Sequence, residues 1–102
     1  MRPESYKFLK TLVEAPSPSG YEQPAAAVFR DYLTPIADEV TTDVMGSVHA
    51  LLKGTAHGPS VMLAGHIDEI GFMVTYITDE GFCAFAPIGG HDPQILPGAR
   101  VD

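Results

Sequence analysis

Side chains that could do chemistry together lie in the run from Leu63 to Gly71. Within it, His66 is followed by Asp68 two positions later and by Glu69 directly after that. An extended backbone turns residues i and i+2 to the same side, so we expect Asp68 to lie beside the ring of His66. A carboxylate that accepts a hydrogen bond from one ring nitrogen fixes the tautomer and makes the other nitrogen a better zinc ligand. The triplet by itself is a weak motif, and a purely structural His–Asp pair stays open as the alternative.

The position of the triplet favours a functional site. The apolar run Ser60–Gly65 leads directly into it and predicts a strand that is covered on both faces at the centre of an α/β sheet. Open α/β sheets bind their ligands at the carboxyl ends of such strands. Because side chains alternate along a strand, Glu69 is expected to point away from the side that His66 faces. This argues against a direct catalytic role for Glu69.

Two amphipathic helices are predicted before this segment. The first begins at Pro3, carries its apolar residues on one stripe and ends at Ala15-Pro16. Breaker and cap residues then fill Pro16–Gly20, which predicts a tight corner. The second helix has its apolar face between Ala25 and Leu33.

The start of the second helix carries two conflicting signals. Ser19 and Glu22 have the spacing of a capping box, which predicts that they cap this helix. Pro24 would crowd the carbonyl four residues before it if the helix began as early as Gly20. We therefore expect an irregular first turn.

Alternation of apolar and polar residues predicts two β-hairpins. Their strands and turns are Val40–Val44, Met45-Gly46 and Val48–Leu52 for the first, and Phe72–Thr78, Asp79–Gly81 and Phe82–Ala86 for the second. Another extended segment is expected to begin within 94–102. Together with the two helices, these strands predict the α/β fold class.

Length and charge narrow the class of protein. The sequence has 102 residues, which is enough chain for one small domain. Its net charge of -7 would repel nucleic acid and anionic membrane surfaces. No apolar run reaches the ~18 residues that a membrane-spanning helix needs, and the N-terminus has no apolar stretch typical of a secretion signal. Cys83 is the only cysteine and is expected to be a buried apolar residue in a reducing, cytoplasmic setting.

The other histidines are expected to be structural or solvated. His49 lies on the outward face of a hairpin strand and His57 in a Gly-Pro loop, so both are predicted to be surface residues. His91 lies in the breaker-rich run Gly89–Pro93 and could be mistaken for a second metal ligand.

The run Val61–Val74 resembles the first metal-ligand segment of the glutamyl and deblocking aminopeptidases, the tetrahedral TET-type family of dinuclear metallo-aminopeptidases. Three further segments resemble this family: Pro16–Glu22 its opening corner, Asp43–Ala50 its Asp-x-x-Gly-Asn-x-x-Ala hairpin, and Gly89–Val101 its exit into an inserted β domain. Ser47 stands where the family usually has Asn, and His91 where it usually has an aromatic residue, commonly Trp. The latter position suggests a packing role for His91.

The resemblance implies the N-terminal part of a zinc-exopeptidase-type three-layer catalytic domain at 1–88, with the start of an inserted β dimerisation domain at 89–102. His66 would be a metal ligand and Asp68 the residue that orients it, in a site of two divalent metal ions, zinc or cobalt. The family's bridging aspartate, catalytic glutamate and second histidine lie beyond the inserted domain. The implied partners are a peptide substrate, the remainder of the catalytic domain, and further copies that form dimers and then a dodecamer.

Three functions therefore compete. The first is a metal-dependent aminopeptidase whose active site is incomplete in this chain, which is expected to be inactive and unstable or aggregated in isolation. The second is a non-catalytic assembly module whose sheet edges pair with another chain. The third is an endoglucanase, a label that members of this family have sometimes carried. Glycosidases need two facing carboxylates, and Asp68 and Glu69 on opposite faces of a strand are a poor pair.

Overall fold

The computed structural model describes residues 1–101, which form two helices followed by two β-hairpins. The elements are α1 (Pro3–Val13), α2 (Gln23–Leu33), β1 (Glu39–Thr42), β2 (Val48–Leu51), β3 (Gly71–Ile77), β4 (Cys83–Ile88) and a short 3₁₀ helix (Pro93–Ile95). Strands β1 and β2 form one antiparallel sheet, and β3 and β4 form another. The chain thus has the mixed α and β content that the sequence predicts. No helix among these residues is long and apolar enough to cross a membrane.

The helices pack on each other and on the first hairpin. Pro3 occupies the first turn of α1, as predicted, because a residue there needs no N–H for the helix. Phe8 of α1 stacks on Tyr32 of α2, with ring centroids 3.9 Å apart. Helix α2 also packs against β2, and its Ala25 and Ala26 are the buried apolar residues of this layer. Small side chains at these positions let the backbones approach closely, but they bury little apolar area.

The predicted capping box is wrong. Helix α2 begins at Gln23, and Glu22 occupies the N-cap position without a side-chain hydrogen bond to the helix. Pro24 explains the late start, because its ring excludes a helical residue four positions earlier. The hydroxyl of Ser17, rather than that of Ser19, accepts a hydrogen bond from the N–H of Ala25 at 2.9 Å and so caps the helix from across the corner.

The first hairpin is confirmed, and a side chain holds its turn. Asp43 follows β1, and its Oδ1 accepts hydrogen bonds from the N–H groups of Met45 and Ser47, each at 2.9 Å. Its Oδ2 lies 3.3 Å from Nε2 of His49, which is exposed as predicted. The hydrogen bond to His49, followed by the one from Ser47, holds the pKa of Asp43 below its usual value. This His–Asp pair therefore serves a turn.

The second hairpin is also confirmed, with a register shift between Val74 and Tyr76. Cys83 begins β4 and is exposed, so the prediction of a buried cysteine is wrong. Burial of Cys83 would need a layer over that part of the sheet, and the part of the chain that the structure describes places none there. The segment after β4 forms the short 3₁₀ helix and a turn closed by Ala99 N–H and Leu96 O at 3.0 Å. No strand forms there within residues 1–101, and Asp102 lies outside the described residues.

The predicted central strand Ser60–Gly65 is absent from the described part of the chain. Its residues are not hydrogen-bonded into either sheet, and Val61, Met62 and Leu63 are 81%, 82% and 94% exposed. A strand requires neighbouring strands to satisfy its N–H and C=O groups, and neither hairpin lies alongside this run. The three-layer arrangement with a doubly covered sheet is therefore not formed by residues 1–101.

The dimensions of the chain show how little of it is packed. Its accessible surface is 8763 Å² and its radius of gyration 18.2 Å. A compact monomer of this mass would expose about 5,600 Å², and a compact domain of this length would have a radius of gyration of about 13 Å. The elements form locally, but they do not enclose a common core.

Gly89 allows the chain to turn at the end of β4, and its replacement is expected to loosen the second hairpin. It has φ +81°, and an added Cβ would lie 2.9 Å from Cγ2 of Ile70. We expect Gly89→Ala to lower the free energy of local opening by about 2 kcal/mol, from the left-handed backbone and the clash together. Hydrogen exchange of the β3 and β4 amides in the full chain measures this effect.

Gly98 provides a matched control for Gly89, since it has φ +82° and open space around an added Cβ. Gly98→Ala should therefore strain only the turn at 96–99 and leave the protection of β3 and β4 unchanged. Equal losses of amide protection in the two variants would contradict the contribution of the Ile70 contact.

Candidate metal-ligand site

The structure brings His66 and Asp68 together as the spacing predicts. Nδ1 of His66 lies 2.9 Å from Oδ1 of Asp68 and 3.2 Å from the carbonyl oxygen of the same residue. Both of these oxygens are acceptors, so Nδ1 must carry the proton and donate it. In the neutral ring, Nε2 then carries the lone pair that a metal ion would bind. The His66 side chain is 86% exposed, so Nε2 is open to a ligand.

The carboxylate of Asp68 is held at both oxygens. Oδ1 accepts from His66, and Oδ2 accepts from the hydroxyl of Ser19 at 2.5 Å. The pKa of Asp68 lies below its usual value. The hydrogen bond from Ser19 is the largest cause, and the hydrogen bond from His66 is the second. Asp68 therefore stays ionised, which is the state in which it accepts from both partners.

The corner between the helices is bound directly to this segment. Ser17 is 1% exposed, and its N–H donates to Oε1 of Glu69 at 2.9 Å. The N–H of Glu69 donates to the carbonyl of Ser17 at 3.0 Å, and that of Ser19 to the carbonyl of Glu69 at 3.2 Å. These backbone bonds form a short parallel bridge between Pro18 and Glu69. The corner thus takes the place of a neighbouring strand for residues 68–69.

Gly71 explains how the corner comes so close. A Cβ at this position would lie 3.0 Å from Cβ of Pro18, and at this distance one of the two segments must shift. Glycine here lets the corner lie against the start of β3. In the sequence, Gly71 is visible only as a residue flanking the triplet, and its partner Pro18 is 53 positions away.

The sequence pattern indicates no role for the Glu69 carboxylate and does not indicate the role of Ser17. The Glu69 carboxylate accepts the N–H of Ser17 and so ties the corner down. The chain pattern Pro16–Gly20 gave a signal for a corner but none for its partner. Such long-range pairing has no local signature in a single sequence.

An open groove runs beside the pair. It lies between the end of α1 and the segment that carries the triplet, and its lining comprises Leu12, Val13, Ala15 and residues 66–69. Apolar residues at the end of α1 therefore line one side of the groove, and residues 66–69 line the other.

The other histidines lie elsewhere. His91 is half-buried, stacks on Phe72 with ring centroids 4.6 Å apart, and has its Nε2 2.9 Å from the carbonyl oxygen of Gly71. This confirms the packing role expected for His91. His57 is exposed, as predicted.

The donor set has the chemistry of one zinc ligand and its orienting carboxylate. A metal-binding histidine characteristically donates its second ring N–H to a carboxylate, and the His66–Asp68 pair has this arrangement. A tetrahedral site needs further ligands. Among residues 1–101, no group of three or more His, Cys, Asp or Glu side chains is placed to hold a metal ion. The pair therefore fits part of a metal site.

Comparison with known proteins identifies the family. Residues 46–102 match the M42 glutamyl aminopeptidase family, and the chain therefore belongs to that family. It is 39% identical over 97 residues to the lysyl aminopeptidase of Pyrococcus furiosus, a match that covers 94% of this chain and 28% of that protein.

Solved structures give the same result for the fold. A TET aminopeptidase from the marine sediment archaeon Thaumarchaeota archaeon SCGC AB-539-E09 superposes with a TM-score of 0.83 and 43% identity, over 91% of this chain and 26% of that one. An endoglucanase from Thermotoga maritima superposes with a TM-score of 0.81 and 37% identity, over 88% and 29% of the two chains. The chain thus spans little more than a quarter of the length of these relatives.

Proposed function

We propose that this chain is the N-terminal part of a metal-dependent aminopeptidase that releases N-terminal amino acids from peptides. The observation that carries the proposal is the 2.9 Å hydrogen bond from Nδ1 of His66 to Asp68, which leaves Nε2 free on an exposed side chain that borders an open groove. Membership of the M42 family supports the peptidase class. The complete enzyme is the protein in which the other metal ligands join His66.

In this proposal, the chain prepares one metal ligand. Asp68 accepts the hydrogen bond from Nδ1 of His66, which leaves Nε2 of His66 as the atom that would bind the metal ion. When bound, with His66 as one ligand, a pair of zinc or cobalt ions would supply an activated water and stabilise the negative charge that develops during peptide hydrolysis. Oε1 of Glu69 accepts the N–H of Ser17, so this carboxylate already holds the corner in place and is assigned no step of the reaction. The general base and the acidic ligands come from the remainder of the catalytic domain.

The same proposal accounts for the rest of the chain. Residues 1–88 belong to the catalytic domain, and 89–102 begin an inserted β domain through which copies form dimers and then a dodecamer in the cytoplasm. One structural relative is described as a TET aminopeptidase, and the assembly is proposed by likeness to that family. The net charge of -7 is compatible with attraction of the cationic N-terminus of a peptide.

The endoglucanase relative makes glycoside hydrolysis the second candidate. That reaction needs two carboxylates that face the glycosidic bond from opposite sides. Asp68 is bound to Ser19 and His66, and Glu69 is bound to the backbone of Ser17. Both carboxylates already hold structural contacts, Asp68 at both oxygens and Glu69 at Oε1, and this arrangement favours the peptidase.

Removal of metal tests the proposed function. We expect treatment of the complete enzyme with a chelator to lower hydrolysis of amino-acyl anilides by at least about a hundredfold, because no metal remains to activate water. Addition of zinc or cobalt should restore the rate, and carboxymethylcellulose should not be cleaved under any condition. Anilide hydrolysis that resists chelation would contradict the metal mechanism. A complete absence of hydrolysis would favour the non-catalytic assembly module.

A further inference from the structure

We propose that Ser19 is a positioning residue for His66, because its hydroxyl holds the carboxylate that orients the imidazole ring. This inference rests on the proposed function of His66 as a metal ligand. It assigns a role to a residue whose sequence pattern had indicated a helix cap.

The geometry is a chain of two hydrogen bonds. The Ser19 hydroxyl donates to Oδ2 of Asp68 at 2.5 Å, and Oδ1 of Asp68 accepts from Nδ1 of His66 at 2.9 Å. Two fixed points, one on each oxygen, define the plane of the carboxylate. Without the Ser19 hydroxyl, the carboxylate of Asp68 would keep only its hydrogen bond from His66, whose side chain is 86% exposed. The exposed ring has little packing of its own, so its orientation depends on these bonds and on the longer 3.2 Å contact of Nδ1 with the carbonyl oxygen of Asp68.

Ser19 is itself held in place before it donates. Its N–H bonds to the carbonyl of Glu69 at 3.2 Å, and Ser17 exchanges two further hydrogen bonds with Glu69. Because the backbone of the corner is already fixed, the Ser19 hydroxyl loses little conformational freedom when it binds Asp68. A hydrogen bond between two mobile surface side chains would lack this preorganisation.

The hydroxyl of Ser19 is not needed for the helix. The cap of α2 comes from Ser17, whose hydroxyl accepts the N–H of Ala25 at 2.9 Å. Removal of the Ser19 hydroxyl should therefore leave α2 intact. The two serines separate orientation of the ligand from stability of the fold, and each is a control for the other.

Three variants of the complete enzyme test the proposal: Ser19→Ala, Ser19→Thr and Ser17→Ala. The first readout is the tautomer of His66 in the metal-free protein above pH 8, measured by solid-state NMR with ¹⁵N-labelled histidine. We expect the Nδ1–H form to dominate in the wild type, to lose population to the Nε2–H form in Ser19→Ala, and to recover in Ser19→Thr, which keeps a hydroxyl. Ser17→Ala should lower thermal stability and leave the tautomer unchanged.

The second readout is the dissociation constant for zinc, measured by competition with a chromophoric chelator. We expect Ser19→Ala to weaken binding about 3- to 10-fold, less than the 10- to 100-fold typical of losing the carboxylate that contacts the ligand directly. An unchanged tautomer in Ser19→Ala would overturn the proposal, and so would a loss of thermal stability without a change in tautomer. A shifted tautomer with zinc affinity that is unaffected even by His66→Ala would support the role of Ser19 and refute the proposed function.

Discussion

Replacement of His66 by alanine in the complete enzyme should lower kcat/KM for an amino-acyl anilide on the order of a thousandfold or more. The substitution removes Nε2 of His66, the ring atom that the hydrogen bond to Asp68 leaves open to a metal ion. Stabilisation of the transition state by a metal ion is worth several kcal/mol, which corresponds to that factor in rate. Steady-state kinetics with the anilide measures it.

His49→Ala is the matched control, because His49 also pairs with an aspartate but serves the turn at Asp43. We expect this variant to retain the wild-type kcat/KM within about threefold, as surface substitutions usually cost little stability. Equal rates for His66→Ala and the wild type would contradict a role for His66 in the reaction.

The isolated chain of 102 residues should show neither a cooperative thermal transition as a monomer nor metal-dependent hydrolysis of the anilide. Its surface of 8763 Å² exceeds the roughly 5,600 Å² of a compact monomer, and the run Val61–Leu63 is almost fully exposed. Exposed apolar runs of this kind promote self-association. Circular dichroism during heating, together with sedimentation velocity, distinguishes the outcomes.

The complete enzyme is the control for this experiment and should unfold cooperatively, because its remaining strands would cover Val61–Leu63. A sharp transition from a monomer of residues 1–102 would show that the chain has a core of its own. That result would contradict the view that these residues require partner strands.

Local elements were predictable from the sequence because their signals are local. Pro3 marks the first turn of α1, and the turns at 43–47 and 79–81 separate alternating strands as expected. The pairing of His66 with Asp68 was predictable for the same reason, since it follows from the direction of side chains two positions apart.

Long-range contacts were not predictable in this way. The capping-box spacing of Ser19 and Glu22 indicated a helix start, whereas the hydroxyl of Ser19 binds Asp68 from 49 positions away. Nothing in the local sequence reveals that partner. The strand expected at Ser60–Gly65 does not form for a related reason: an apolar run predicts burial against neighbouring strands, and no strand lies beside it among residues 1–101. A local pattern can predict that a segment will be buried, but it does not predict which other segment buries it.

The corner at Pro16–Gly20 connects these observations. It caps α2 through Ser17, binds the backbone of Glu69 and holds Asp68 through Ser19. A single tight turn thus fixes both the helical layer and the segment that carries the imidazole. This coupling explains how the His66 ring can be oriented in a chain that has little core of its own.

The metal content of the complete enzyme tests the central claim, that His66 is a metal ligand, most directly. Wild-type and His66→Ala proteins would be dialysed against the same buffered zinc concentration and analysed by inductively coupled plasma mass spectrometry. The account predicts that the wild type retains a pair of metal ions per chain and that His66→Ala loses at least one of them, with His49→Ala matching the wild type. Equal metal content in wild-type and His66→Ala proteins would contradict it.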